Sequence, residues 1–227
     1  MRLAYVLGAL GPGSLDFKLQ WLKNNLILLR RQVKVDLFIH DYSEGGLAVT
    51  GATVYHLPRG ELAQMWSRAK FDLSGYDYVL LILDDVRLGR NMDDSVAPFD
   101  IRLLVRKLEK YDCDIISPFI HNPTHSSNFL QQPYVTITIG GSLEFFCYLM
   151  KPSTYSRYIK VVNKNYFLWG IDLYLEQVGF KVGVDCQSHA HHMIKMGYNP
   201  RQQQYREKLM YSWMTERGFS GKQTFDF

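Results

Sequence analysis

The sequence predicts an α/β protein: a single domain with a mixed, mostly parallel central sheet flanked by helices. Three observations carry this. The first 40 residues give a strand signal, a helix signal and a second strand signal in succession, a βαβ opening that favours a parallel sheet with helices on its faces. Tyr78-Val79-Leu80-Leu81-Ile82-Leu83 is a continuous apolar run, the mark of a central strand buried on both faces. No internal repeat, low-complexity tract or linker divides the 227 residues, a length that suits one substantial domain.

The elements follow in order. Leu3–Leu7 is the first strand; the apolar stretch Leu3–Leu10 runs into Gly11-Pro12-Gly13 with no cleavage pattern, which argues against a secretory leader. Leu15, Leu19, Leu22, Leu26 and Leu29 recur at the four-three spacing of one helix face. Ser14 can cap that helix, while Asp16 suits its positive end and Arg30 and Arg31 its negative end. Val33–Ile39 is the second strand, a short apolar piece follows around Val54, and a helix is predicted over 61–70 with Leu62, Met65, Trp66 and Ala69 on its apolar face. The central strand over 76–83 ends abruptly in Asp84-Asp85. Ile101, Leu104, Val105 and Leu108 mark a helix, Cys113–Ser117 a short strand and residues 121–132 a polar loop. Tyr134–Ile139 and Leu143–Met150, separated by Gly140-Gly141, read as an antiparallel pair that makes the sheet mixed. Helices over 156–162 and 171–178, a last strand over 180–184 and a polar helix over 201–217 complete the chain.

Composition excludes several classes. Hydrophobic residues make up 47% and charged residues 21%, which rules out disordered and fibrous proteins. The net charge of +4 suits a small anionic ligand and is too slight for nucleic acid. No run approaches the roughly 18–20 apolar residues that span a bilayer, so no stable membrane insertion is expected. Cys113, Cys147 and Cys186 are far apart, unlike a disulfide framework or a zinc ribbon, and a reducing, cytoplasmic setting is expected. With 15 Tyr and 13 Phe the chain has rings for sugar stacking, although aromatic residues at strand or helix spacing serve mostly as core.

Two carboxylates directly after a buried strand must be solvated, paired or bound to a cation. The carboxyl end of such a strand is also where open α/β sheets bind ligands. Asp84 and Asp85 therefore read either as turn residues or as a site in which Asp85 bridges a divalent metal to a diphosphate. His189, His191 and His192 follow the last predicted strand and read as metal ligands or as a His-rich surface loop. Asp172, at the start of a predicted helix, is either a cap or a carboxylate aimed into the cleft. Gly8, Gly11 and Gly13 have the spacing G-x-x-G-x-G, not the dinucleotide fingerprint, and no P-loop occurs. A Gly-rich turn at Gly8 and Gly11 still lets backbone approach a nucleotide.

Tyr76-Asp77-Tyr78-Val79-Leu80-Leu81-Ile82-Leu83-Asp84-Asp85-Val86 resembles the strand and metal motif of glycosyltransferases of the GT-A fold. Residues 76–198 are similar to a plant family of presumed glycosyltransferases, through Trp169-Gly170-Ile171-Asp172, through Val182-Gly183-Val184-Asp185-Cys186-Gln187 and through the following His191. The length and layout also resemble the N-terminal glycosyltransferase domain of a chlorella-virus protein that helps build the capsid glycan. The resemblance implies a GT-A-like, Rossmann-like fold with a nucleotide-binding part over about 1–117 and an acceptor and sugar part over about 118–227. It implies a UDP-sugar donor, Mn²⁺ or Mg²⁺ as cofactor and a glycan acceptor. A further implication is host cytoplasm if the source is viral, with further domains in a longer polypeptide.

Carried over residue by residue, the last Asp of the Asp-x-Asp signature falls on Asp85, the implied metal ligand. The first falls on Leu83, a departure that leaves ribose or sugar contacts to Asp84 or elsewhere. The C-terminal metal-binding His matches His191, with His189 as the alternative. Lys195 sits where related enzymes place a basic residue on the pyrophosphate, and Arg68 and Lys70 are implied diphosphate or base contacts or plain surface charges. Asp172 matches the carboxylate of the acceptor-side helix, and Glu144 lies near the expected sugar pocket. If the reaction inverts, Asp172 is the base; if it retains, which the viral resemblance favours, Asp172 or Glu144 orients or stabilises the sugar. Two other functions share some of these features: a metal-dependent phosphoesterase or nucleotidyltransferase, which needs more clustered carboxylates, and a non-catalytic glycan-binding module, which needs no metal.

Overall fold

The computed structural model describes residues 1–10, 15–43, 48–58, 62–91, 93–122, 137–139, 146–165, 168, 170–193 and 200–218. Its elements are β1 (Arg2–Leu10), α1 (Leu15–Arg30), β2 (Lys34–Asp41), β3 (Ala52–His56), α2 (Leu62–Arg68), β4 (Tyr78–Ile82), β5 (Val86–Leu88) and α3 (Ile101–Lys110). They continue with β6 (Ile115–His121), β7 (Ile137–Ile139), β8 (Cys147–Met150), α4 (Pro152–Val162), α5 (Ile171–Gln177), β9 (Val182–His192) and α6 (Pro200–Thr215).

The strands join one sheet in the order β3-β2-β1-β4-β8-β6-β9-β5, with β7 also paired to β9. β1, β2, β3 and β4 are mutually parallel neighbours. β8 enters antiparallel between β4 and β6, so β6 runs with β4 again, and β9 runs parallel to β6. β5 and β7 pair antiparallel with β9. The sheet is thus mixed and mostly parallel, as the sequence predicts.

Burial explains the order. Every residue of β4 and of β8 is buried, so both strands need neighbours and cover on each side. That requirement corrects the expected pairing of the two strands around Gly140-Gly141: β8 takes the centre between β4 and β6 and β7 goes to β9. The predicted last strand over 180–184 is also longer, because β9 continues through the histidines to His192. The three-residue β5 has too little pattern to be read from sequence.

α1 packs Leu22 and Leu29 into the core as its spacing requires. Asn25 on the same face is buried to 1%. Its Nδ2 donates to the Val86 carbonyl at 2.8 Å and its Oδ1 accepts from Leu88 N–H at 2.8 Å. One amide therefore satisfies two backbone groups on the open side of β5, which would otherwise stay orphaned. α3 starts at Asp100, whose carboxylate accepts from Arg102 N–H at 2.8 Å and Leu103 N–H at 3.2 Å, a side-chain N-cap. Before α5, Gly170 has φ +80°, and a Cβ there would lie 3.1 Å from Met210 Cγ and 3.2 Å from Met214 Sδ of α6. Glycine suits both that backbone conformation and that close contact.

Candidate functional site

Because β3, β2, β1, β4, β6 and β9 run the same way, their carboxyl ends share one edge of the sheet. Titratable side chains gather there: His40 and Asp41 end β2, His56 ends β3, Asp84 and Asp85 follow β4, His121 ends β6 and His192 ends β9. Parallel strands expose their ligand-binding crevice at this edge.

Asp84 and Asp85 form the turn between β4 and β5, and they face different ways. Asp84 Oδ2 accepts from Lys18 Nζ of α1 at 2.6 Å. Asp85 Oδ2 lies 3.0 Å from His192 Nε2, and its carbonyl accepts from Met193 N–H at 2.8 Å. Asp85 Oδ1 is buried with no hydrogen-bond partner. His192 in turn stacks on Phe146, with centroids 4.2 Å apart, and its Nδ1 is 3.3 Å from the Asn122 carbonyl.

The structure places His192, not His191, beside Asp85. Successive residues of a strand point to opposite faces, so His189 and His191 turn to the other side of β9, toward His121. There His121 Nε2 and His189 Nδ1 are 2.7 Å apart, while both ring nitrogens of His191 are buried without a partner. Burial pushes the pKa of all three below the ordinary histidine value, with His191 lowered further by neighbouring His121, His192 and Arg87. Desolvation disfavours the imidazolium form of all three. Among the described residues no group of three His, Cys, Asp or Glu side chains is placed to hold a metal ion.

The other predicted residues are dispersed. Gly8 lies inside β1, where a Cβ would meet Leu83 Cδ2 and Trp66 Cζ2 at 3.0 Å each, and its carbonyl accepts from Trp66 Nε1. Its missing side chain makes room for Trp66. Arg68 ends α2 and is exposed, as is Lys70 just beyond it. Asp172 is the second residue of α5. Gly11, Glu144 and Lys195 lie outside the described residues.

Several edge residues were not anticipated. Asp41 is 1% exposed; it accepts from Ser43 Oγ at 2.6 Å and Ser43 N–H at 3.0 Å, and its Oδ2 is 2.7 Å from His56 Nδ1. The available signal was a carboxylate just past the apolar run Leu37–Ile39, separated from it by His40, a weaker form of the signal that singled out Asp84 and Asp85. Lys18 is hidden within a helix whose spacing speaks only of its leucines; His192 belonged to the predicted histidine cluster, but its selection over His191 needed the strand's phase.

Two solved structures share this architecture. The crystal structure of A197 from STIV superimposes with a TM-score of 0.52 at 12% identity, covering 86% of this chain and 87% of that one. GalNAc-T7 with UDP, GalNAc and Mn²⁺ superimposes with a TM-score of 0.59 at 10% identity, covering 88% of this chain and 45% of that one. The chain has a GT-A-like fold. No family model and no curated protein matches the sequence, so the likeness is one of fold.

Against that fold the edge can be tested for a divalent cation. Asp85 offers an unpaired buried oxygen. His192 Nε2 is engaged by Asp85 Oδ2 at 3.0 Å, and with Nδ1 facing the Asn122 carbonyl the ring can keep its Nδ1–H when a cation replaces the proton between Nε2 and Asp85. Mg²⁺-type sites commonly use one or two carboxylates completed by substrate phosphates, which Asp85 fits, while the His192 imidazole beside it is a ligand for a transition-metal ion. Among the described residues no helix is long and apolar enough to cross a membrane.

Proposed function

We propose that the protein is a metal-dependent glycosyltransferase that moves a sugar from a UDP-sugar to a glycan hydroxyl. The observation that carries this reading is the Asp85–His192 pair, closed at 3.0 Å at the carboxyl edge of a GT-A-like sheet with Asp85 Oδ1 left unpaired. The likeness to GalNAc-T7, whose structure holds UDP, GalNAc and Mn²⁺, supports it.

In this reading Asp85 and His192 hold Mn²⁺ or Mg²⁺, with His189 and His191 outside the pair. Bound there, the cation supplies Lewis-acid stabilisation of the departing diphosphate. Lys18 holds Asp84 in place at the same turn, and Lys195 adds positive charge from the segment after β9. The nucleoside lies toward the ends of β1 and β2, where Asp41 is oriented by Ser43 and His56. Arg68 and Lys70 are its candidate surface cations, and Gly11 is the candidate for close backbone approach, the space at Gly8 being taken by Trp66. The protein positions an acceptor hydroxyl at the anomeric carbon; for retention its new C–O bond forms on the face from which UDP departs as the bond to UDP breaks, and the hydroxyl proton passes to the leaving diphosphate. Asp172 and Glu144, in the acceptor part over 118–227, orient the sugar in a retaining reaction.

Isothermal titration with UDP, with and without Mn²⁺, tests the reading. Metal-dependent binding that disappears in Asp85→Ala is expected, followed by hydrolysis of one UDP-sugar in a screen. Absence of UDP binding under both conditions would overturn it in favour of a metal-free glycan-binding module.

A further inference from the structure

β9 is not continuous in register. Pro118 of β6 faces Asp185, yet the next residue, Phe119, faces His189. Three extra residues, Cys186, Gln187 and Ser188, are accommodated against a single step of β6. Pro118 has no N–H for the ladder, which is where such a break is tolerated.

The excess decides which histidine meets Asp85. In unbroken register Cys186 would face Phe119 and Ser188 would face His121, so the histidines would run past the end of β6. Three is also an odd number, and an odd slip moves every later side chain to the opposite face. With the bulge, His191 faces His121 and His192 turns to the face that holds Asp85 and Phe146. Beyond it β9 also changes partner, leaving β7 at Asp185 and joining β5 through Ala190, His191 and His192.

One side chain from the helix layer ties the residue before this bulge to the middle of it. Lys107 of α3, 7% exposed, donates from Nζ to Asp185 Oδ1 and, at 2.8 Å, to Gln187 Oε1. Gln187 N–H donates to the same Asp185 oxygen at 2.9 Å. Asp185 is fully buried, and a buried carboxylate holds its place only while it is paired. We infer that Lys107 is a positioning residue for the Asp85–His192 site: by clamping Asp185 and Gln187 it holds the β9 bulge that sets His192, not His191, against Asp85. The inference deepens the glycosyltransferase reading, since the pair it positions is the proposed metal pair.

The test uses the full chain carrying Lys107→Met, Lys107→Met with Asp185→Leu, Gln187→Ala or Lys107→Arg. The double variant removes the buried charge that the single one strands, and Gln187→Ala changes an exposed position. Imidazole ¹⁵N spectra of the metal-free protein, with His192 assigned through His192→Gln, report its contact with Asp85. In the folded double variant the His192 signal is expected to move to its position in Asp85→Asn, with Mn²⁺-dependent UDP affinity falling about 10–100-fold, as for loss of supporting contacts around a metal. Gln187→Ala is expected to move it part of the way, and Lys107→Arg to leave it near wild type. An unmoved His192 signal in folded double variant and in Gln187→Ala overturns the inference, whatever happens to UDP. A moved signal in a protein whose wild type binds neither Mn²⁺ nor UDP upholds the clamp and overturns the glycosyltransferase reading.

Discussion

Lys18 Nζ lies 2.6 Å from Asp84 Oδ2, an ion pair that fastens the first turn of α1 to the turn after β4. The two side chains are 13% and 11% exposed, so their attraction is weakly screened. Removing the cation takes this ion pair from a largely buried carboxylate beside Asp85. Lys18→Met is expected to lower the unfolding free energy by about 1–3 kcal/mol in urea melts, and Lys18→Arg to recover most of it.

His191 and His192 differ in sequence by one place and in position by a whole face of the sheet. His192→Ala is expected to weaken Mn²⁺-dependent UDP binding by about tenfold or more, whereas His191→Ala, on the His121 side, leaves it within about twofold. Titration calorimetry on the two variants separates them, and equal losses would contradict the assignment.

Gly8 has no room for a methyl group. A Cβ would stand 3.0 Å from both Leu83 Cδ2 and Trp66 Cζ2 and 3.3 Å from the Ile82 carbonyl. Gly8→Ala is expected to cost about 1–3 kcal/mol, the range for overpacked cores, seen as a lowered melting temperature. A stability unchanged from wild type would mean that Trp66 moves freely.

His40 gives the pH dependence a sign. Its Nδ1 lies 3.0 Å from the Leu7 carbonyl, and burial pushes its pKa down from 6.5 to about 4. The unfolded chain therefore binds the proton first as pH falls, and stability drops between about pH 6.5 and 4, levelling below the folded value. The loss from this residue is about 3 kcal/mol. His121, His189 and His191 act in the same direction. Urea melts across that range are expected to show a shallower slope in His40→Leu, even though the variant is less stable at neutral pH.

Much of the fold was legible because the βαβ opening and the β4 run are dictated by local pattern and burial. The leucine spacing of α1 and the abrupt end of β4 at Asp84-Asp85 both reappear in the structure. Long-range relationships were not legible. Leu143–Met150 announces a strand but not that β8 separates β4 from β6. The polar residues Asp185–Ser188 end the apolar pattern of β9, so the continuation through the bulge, and with it the phase that selects His192, lies beyond any periodicity rule. Asn25 interrupts a leucine face for the sake of β5, a partner 61 and 63 residues away.

Asp85 and His192 are 107 residues apart along the chain. During synthesis Asp85 leaves the ribosome long before its partner exists, and β9 must still find its slot between β6 and β5. The pair can close only when the last strand sits in its correct phase, so its closure reports the register of β9.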